Sequence, residues 1–266
     1  MSRIAIRFAA LKAAHKKAFI PFITAGDPDL ATFAKILAGL PKAGADLIEI
    51  GMPFSDPMAD GPAIEKANLR AFAGGIKLKK IIDAVRDFRA GDKDTPIILM
   101  GYANPLYAYG LDKFAKDAKD AGVDGLIIAD LPPEEDGQLR AMAGGLDIIR
   151  LVTPTTDAAR LKTILNGASG FLYYVSVTGI TGSKQADATP VQKAVAAIRA
   201  QSNLPVAVGF GISTPEAARA IAAVADGVVV GSAIVNRIAV ALEQKTDIIH
   251  DVIGFVETLA NAAHKS

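Results

Sequence analysis

Three carboxylates crowd one short stretch of this chain, Ile-Glu-Ile-Gly-Met-Pro-Phe-Ser-Asp-Pro-Met-Ala-Asp-Gly at residues 48–61. Glu49 lies inside the apolar run Leu47-Ile48-Glu49-Ile50, and Asp56 and Asp60 sit on the Gly- and Pro-rich segment that follows. Burying an ionised Glu among aliphatic side chains without partners is costly. Such a residue is kept mainly where a proton has to move. A strand end followed by an acid-bearing loop is where an α/β enzyme places general acid–base chemistry. The apolar setting predicts a pKa for Glu49 above the usual carboxylate range. The competing reading is a structural Glu paired with a buried Arg or Lys. For Asp56 and Asp60 it is capping of a helix that begins near Pro62.

Three glycine-bearing turns add a second kind of chemistry: Thr178-Gly179-Ile180-Thr181-Gly182-Ser183, Gly209-Phe210-Gly211-Ile212-Ser213 and Gly231-Ser232-Ala233. Glycines let backbone N–H groups approach phosphate oxygens, and late turns beside a helix N-terminus form a phosphate site. The second turn lacks the third glycine of a dinucleotide fingerprint, which argues against a Rossmann domain. Phe22, Tyr102, Tyr173 and Phe210 fall at strand ends where a flat substrate could lie, although core filling is the ordinary use of such rings. His15, His250 and His264 are far apart in terminal segments and read as solvated surface histidines. They offer neither a metal cluster nor a triad. Cysteine is absent, which excludes disulfides, thiolate catalysis and Cys-ligated metal.

These residues need a scaffold, and eight short apolar runs supply it: Ala18–Thr24, Asp46–Gly51, Pro96–Gly101, Gly125–Ala129, Asp147–Val152, Gly170–Ser176, Pro205–Phe210 and Gly227–Gly231. They are rich in Ile, Val and Leu without alternation, as parallel strands covered on both faces are. Helical patterns separate them at about one strand-plus-helix unit per 33 residues. Ser213-Thr214-Pro215-Glu216 reads as a capping box, and Thr189-Pro190 opens a helix in the same way. Three helix-to-strand joints look alike: Ala43-Gly44-Ala45-Asp46, Ala121-Gly122-Val123-Asp124 and Val224-Ala225-Asp226-Gly227. Alternating β and α elements fit a doubly wound sheet or an eight-stranded barrel, and the strand count favours a (β/α)₈ TIM barrel forming a single domain, 1–266. Side-chain alternation turns Glu49 and Leu47 to the barrel interior. Arg3 to His15, with Ile4, Phe8 and Leu11 on one face, is an extra N-terminal helix that plugs the barrel bottom or lies on a membrane surface; the plug is favoured.

Composition narrows the class further. The 266 residues are 51% hydrophobic, and 29 basic against 28 acidic residues leave a net charge of +1. No basic stripe interleaved with aromatics suggests nucleic acid. Mean hydropathy is +0.30, but Asp226 interrupts the small-apolar stretch from Ala217 to Val235. No signal peptide is evident, so a cytoplasmic location is expected.

Together these residues resemble the tryptophan synthase alpha chain family. The resemblance runs along nearly the whole chain. It is carried by Pro21–Pro28 (Pro-Phe-Ile-Thr-Ala-Gly-Asp-Pro), Ile48–Gly61, Gly101-Tyr102-Ala103-Asn104-Pro105, Asp130-Leu131-Pro132, Thr178–Gly182 and Gly209-Phe210-Gly211. It implies a TIM-barrel lyase that cleaves indole-3-glycerol phosphate to indole and glyceraldehyde 3-phosphate in tryptophan biosynthesis. Glu49 then matches the general acid/base, Asp60 the carboxylate on the indole N–H, and Tyr173 a tyrosine near the reacting side chain. Indole packing carries over to Phe22, Met100, Tyr102, Ile127, Ala129 and Leu151, with Phe210 also against the substrate. Phosphate binding carries over to Gly182, Gly211, Gly231 and Ser232. Residues Gly179 to Ala188 match a lid with Thr181 near Asp60 when closed.

The resemblance also implies a beta chain partner in a heterotetramer of two alpha and two beta chains. Pro53, Asp56, Asn104, Pro105 and Pro132 would lie at the contact. The alpha chain itself would carry no cofactor and no metal, with pyridoxal phosphate held by the beta chain. Ser176-Val177-Thr178-Gly179 lacks an Arg that some members carry, and Met100 and Leu151 would change pocket shape slightly. The alternatives are a free-standing indole-releasing lyase, a non-catalytic phosphate-binding regulatory subunit, and another phosphosugar barrel.

Overall fold

A computed structural model of the chain describes residues 1–176, 188–209 and 211–265. Its strands are β1 (Ala18–Thr24), β2 (Ile48–Gly51), β3 (Ile97–Gly101), β4 (Gly125–Ile128), β5 (Asp147–Ile148), β6 (Arg150–Val152), β7 (Leu172–Val175), β8 (Val206–Gly209) and β9 (Gly227–Val230). Every pairing is parallel, in the order β5-β4-β3-β2-β1-β9-β8-β7-β6.

The expected fifth strand, Asp147–Val152, is divided at Ile149. Its first half pairs with β4 and its second with β7, while the Ile149 N–H still donates to the Leu126 carbonyl at 3.0 Å. Barrel strands are tilted and staggered, so a short strand meets one neighbour low and the other high. The two halves thus act as one stave, and the sheet closes into an eight-staved TIM barrel.

Alternation along each strand sorts side chains into two layers. Ile48, Ile50, Leu99, Leu126, Val208 and Val228 face the surrounding helices. Leu47, Ile98, Ile127, Ile149, Phe171 and Val229 point inward. The helix Arg3–Ala13, begun by the Ser2 hydroxyl accepting from the Ala5 N–H, packs Ile4, Phe8 and Leu11 onto that inner layer. Phe8 meets Phe171 at a ring-centroid distance of 5.6 Å. Each such apolar side chain contributes roughly 2 kcal/mol by leaving water. This segment is the barrel plug.

The recurring joints have a shared purpose. Asp46, Asp124 and Asp226 each make two bonds to a single residue of a neighbouring strand. The Asp N–H donates to the carbonyl of Phe19, Ile97 or Val206 at 2.9, 2.8 and 2.8 Å. The Asp carboxylate accepts the N–H of that same residue at 2.9, 2.8 and 2.9 Å. Side chains cover these carboxylates: Arg3 and Arg199 bind the second oxygen of Asp124 and Asp226, while Arg89 on Asp124 and His264 on Asp46, at 2.7 Å, share the oxygen that accepts the strand N–H. His264 is therefore not the solvated histidine expected of it, whereas His15 and His250 are exposed.

One expected helix starts at its proline, Pro215, and the other one residue before its proline, at Thr189. Thr214, not Ser213, caps the helix Pro215–Ala222, its hydroxyl accepting from the Ala217 N–H. Thr189 lies inside its helix, with Ala188 at the cap position.

Candidate active site

β2 places Glu49 beside Phe22 of β1 and Ile98 of β3 in the parallel register. Two glycines make room around it. A Cβ at Gly51 would sit 2.4 Å from the Phe22 ring, and one at Gly209 would sit 2.4 Å from the Tyr173 hydroxyl. Only residues without side chains let these two rings lie across the neighbouring strands. The result is a cavity of about 320 Å³ at the C-terminal end of the barrel, with Glu49 and Tyr173 among its walls.

Glu49 is 1% exposed. Neither carboxyl oxygen has a hydrogen-bond partner among the described residues. Burial alone pushes its pKa up to about 8, so at neutral pH it is mostly a neutral acid holding a proton. The structural ion-pair reading does not hold: Arg150, buried on β6, is paired with Asp136. Burial also pushes the Tyr173 phenol well above its ordinary value, and the nearby charge of Glu49 adds to the shift. Tyr173 therefore stays protonated.

Asp60 faces the same cavity from the loop after β2. It does not cap the helix Pro62–Ala73, whose cap residue is Gly61 with no side-chain bond. Instead the Tyr102 hydroxyl donates to one oxygen at 2.9 Å, and the Asn68 amide donates to the other at 3.1 Å. Burial raises the Asp60 pKa, opposed by these two hydrogen bonds. Asn68 is a site residue that the sequence reading missed. Its signal is a helix-disfavoured polar residue four positions after Ile64, on the face turned to the cavity.

Phe22, Met100, Tyr102, Ala129 and Leu151 line the cavity, as do Gly211, Gly231 and Ser232. Ile127 does not: it lies one layer deeper, fully buried in the barrel interior two residues before Ala129. The helix Ser232–Gln244 begins at the cavity wall with Gly231 as its cap and no side-chain cap bond. The Ile234 and Val235 N–H groups donate back to the Gly231 carbonyl at 2.8 and 3.1 Å, which leaves the Ser232 and Ala233 N–H groups to meet an anion. Thr181, Gly182 and Phe210 lie outside the described residues.

Asp56 and Pro132 are exposed on the loops after β2 and β4, and Asn104 is exposed in the first turn of a short helix, Ala103–Tyr109, where a loop was expected, with Pro53 and Pro105 half-buried. The Asp130 carboxylate accepts the Ala103 N–H at 2.8 Å, joining the loop after β4 to the start of that helix. Among the described residues no group of three or more His, Asp or Glu side chains could hold a metal ion. No described helix is long and apolar enough to cross a membrane. The chemistry on offer is a proton donor, an ionisable carboxylate with one donor on each oxygen, and a backbone anion cradle around one apolar space.

Comparison with known proteins agrees with this geometry. The model of the family described as tryptophan synthase alpha chain matches residues 8–264. Tryptophan synthase subunit alpha from Legionella pneumophila is 43% identical with a TM-score of 0.92, covering 99% of this chain and 98% of that one. A protein from Aquifex aeolicus is 38% identical with a TM-score of 0.90, covering 99% and 100%. Tryptophan synthase from Mycobacterium tuberculosis, in an open form, is 32% identical with a TM-score of 0.88, covering 99% of each chain. The family's alpha chains need no cofactor of their own. With a match along almost its entire length and an acid-lined barrel mouth to go with it, the chain belongs to the tryptophan synthase alpha chain family, lyases that cleave indole-3-glycerol phosphate.

Proposed function

We propose that Glu49 delivers its proton to C3 of the indole ring of indole-3-glycerol phosphate. Indole leaves poorly from carbon until C3 is protonated. Protonation gives an indoleninium, and loss of the proton from the adjacent glycerol hydroxyl sends the C–C bond electrons into the ring. Indole and glyceraldehyde 3-phosphate separate, and the hydroxyl proton returns to the Glu49 carboxylate. No redox change occurs, and the proton count balances within each turnover. Asp60 accepts the indole N–H and stabilises the positive charge that develops there. Tyr173 sits beside the reacting side chain.

Phe22, Met100, Tyr102, Ala129 and Leu151 hold the ring, with Ile127 beneath them. Gly211, Gly231 and Ser232 hold the phosphate. Thr181, Gly182 and Phe210 keep the substrate and phosphate roles that the family motif gives them. A beta chain is the partner, in a heterotetramer, with pyridoxal phosphate on that chain and Pro53, Asp56, Asn104, Pro105 and Pro132 at the contact. We also assign this biosynthetic reaction to the cytoplasm. Fractionation that finds the full chain in membranes or outside the cell overturns that assignment.

One observation supports the catalytic reading most directly: a buried carboxyl group with no hydrogen-bond partner among the described residues, facing a cavity and with its pKa pushed up to about 8 by burial. A structural glutamate would be paired, and a binding module has no need of such an acid. Glu49→Gln keeps the shape and removes the transferable proton. Its kcat for indole release is expected to fall about a hundred- to ten-thousand-fold, with the fold intact by circular dichroism. Cleavage near the wild-type rate would remove Glu49 from the mechanism.

A further inference from the structure

We propose that Asn68 is a positioning residue for Asp60, gripping one carboxylate oxygen while Tyr102 grips the other. The inference rests on the role given to Asp60 above and adds what keeps that carboxylate aimed and ionised. Asp60 belongs to a loop, so its own backbone fixes it poorly. Its two side-chain donors come from firmer places. Tyr102 follows β3 and is 3% exposed, and Asn68 lies within the helix Pro62–Ala73 and is 4% exposed. The Tyr102 hydroxyl also accepts the Ala59 N–H at 3.0 Å, so a single oxygen bridges the carboxylate and the backbone next to it.

A carboxylate oxygen has two lone-pair sites. With one donor on each oxygen, Asp60 keeps one site on each free for a substrate N–H. The helix bearing Asn68 is fixed two residues later, where Arg70 binds the fully buried Asp27 through Nε and Nη2 at 2.6 and 2.9 Å. Side chains locked in this way hold a reacting group in its productive geometry.

Charge makes the arrangement necessary. Glu65, in the first turn of the same helix, pushes protons onto Asp60, and burial does the same. Asp130, across from Tyr102, is a further negative group on that side. Among the described residues no Lys or Arg acts on Asp60. Its ionised form therefore depends on two neutral donors, and removing one moves it toward the neutral acid, which cannot stabilise a cation.

The experiment follows the Asp60 carboxyl by ¹³C NMR titration in the full chain, alongside the pH dependence of kcat. In Asn68→Ala the Asp60 titration and the acid limb of kcat are both expected to move up by about one pH unit. The kcat at neutral pH should fall about tenfold or more, with little change in KM. Asn68→Asp, which adds a carboxylate at the same place, should move the titration further, and the exposed neighbour variant Leu69→Ala should move nothing. If Asn68→Ala does not fold, the same titration in Asn68→Leu, which keeps the size and removes the donor, and in Tyr102→Phe reads the grip from either side. An unchanged Asp60 titration in the folded Asn68 variants overturns the proposal, even if activity falls. Because the titration is read without turnover, it stands apart from Asp60→Asn, whose retained activity would instead sink the catalytic role of Asp60.

Discussion

Glu49 binds its proton more tightly in the folded chain than in the unfolded one, and this ties stability to pH. Its carboxyl titrates near 4.5 when free and at about 8 when buried. Below about 4.5 both states hold the proton. Between these values the folded chain keeps a proton that the unfolded chain has lost, so stability falls as pH rises through this window and levels off above about 8. The full effect is at most roughly 5 kcal/mol. Glu49→Gln cannot titrate, so the melting-temperature advantage of this variant over wild type should widen from pH 5 to pH 8 and then stay constant. A gap that is flat across that range would mean Glu49 is not the buried neutral acid described. Wild-type kcat should decline above about pH 8 for the same reason. That Glu49 faces inward was legible in the sequence, because a period of two in an apolar run fixes the direction of each side chain. The grip on Asp60 was not, since Tyr102 and Asn68 reach it only through the packing of a strand end against a helix.

The aspartate joints make a graded prediction at the level of strands and helices. Asp124 is 7% exposed, and removing it strips partners from Arg3, Arg89 and the Ile97 N–H together. Asp124→Ala is expected to cost about 3–5 kcal/mol, as for a broken buried pair. Asp226, whose side chain is 33% exposed and which has Arg199 as its ion-pair partner, should cost about half as much or less. Urea denaturation midpoints check the order, and equal losses would mean the strand-end bonds matter more than the burial of the charges. All three joints precede strands at the end of the barrel away from the cavity, so KM should be unaffected. The joints themselves were visible as Gly-x-Asp at Asp46 and Asp124 and as the similar Val-Ala-Asp at Asp226. Their reciprocal bonds were not, because each partner strand lies tens of residues away. The same holds for the break at Ile149, set by which neighbour each half-strand meets, and for His264, whose partner Asp46 is 218 positions earlier.

At the scale of the molecule, the barrel separates its tasks. The plug helix and the aspartate joints close one end, and the acids, aromatic walls and helix N-terminus occupy the other. Around that working end Met58 is 85% exposed and Tyr107 47% exposed, apolar surface beside Asp56 and Asn104 that suits a partner. Adding a tryptophan synthase beta chain is expected to raise indole release about tenfold or more, and Asp56→Ala should weaken that response without altering the rate of the isolated chain. No response in the wild-type chain would favour a free-standing lyase. The missing β-carbons at 51 and 209 carry one more consequence. The chamber owes its breadth to bare backbone beneath two rings, so protein engineers seeking a wider chamber have nothing left to trim from those strands. They must cut Phe22 or Tyr173 themselves, whereas a lone methyl on either glycine is enough to crowd the occupant out.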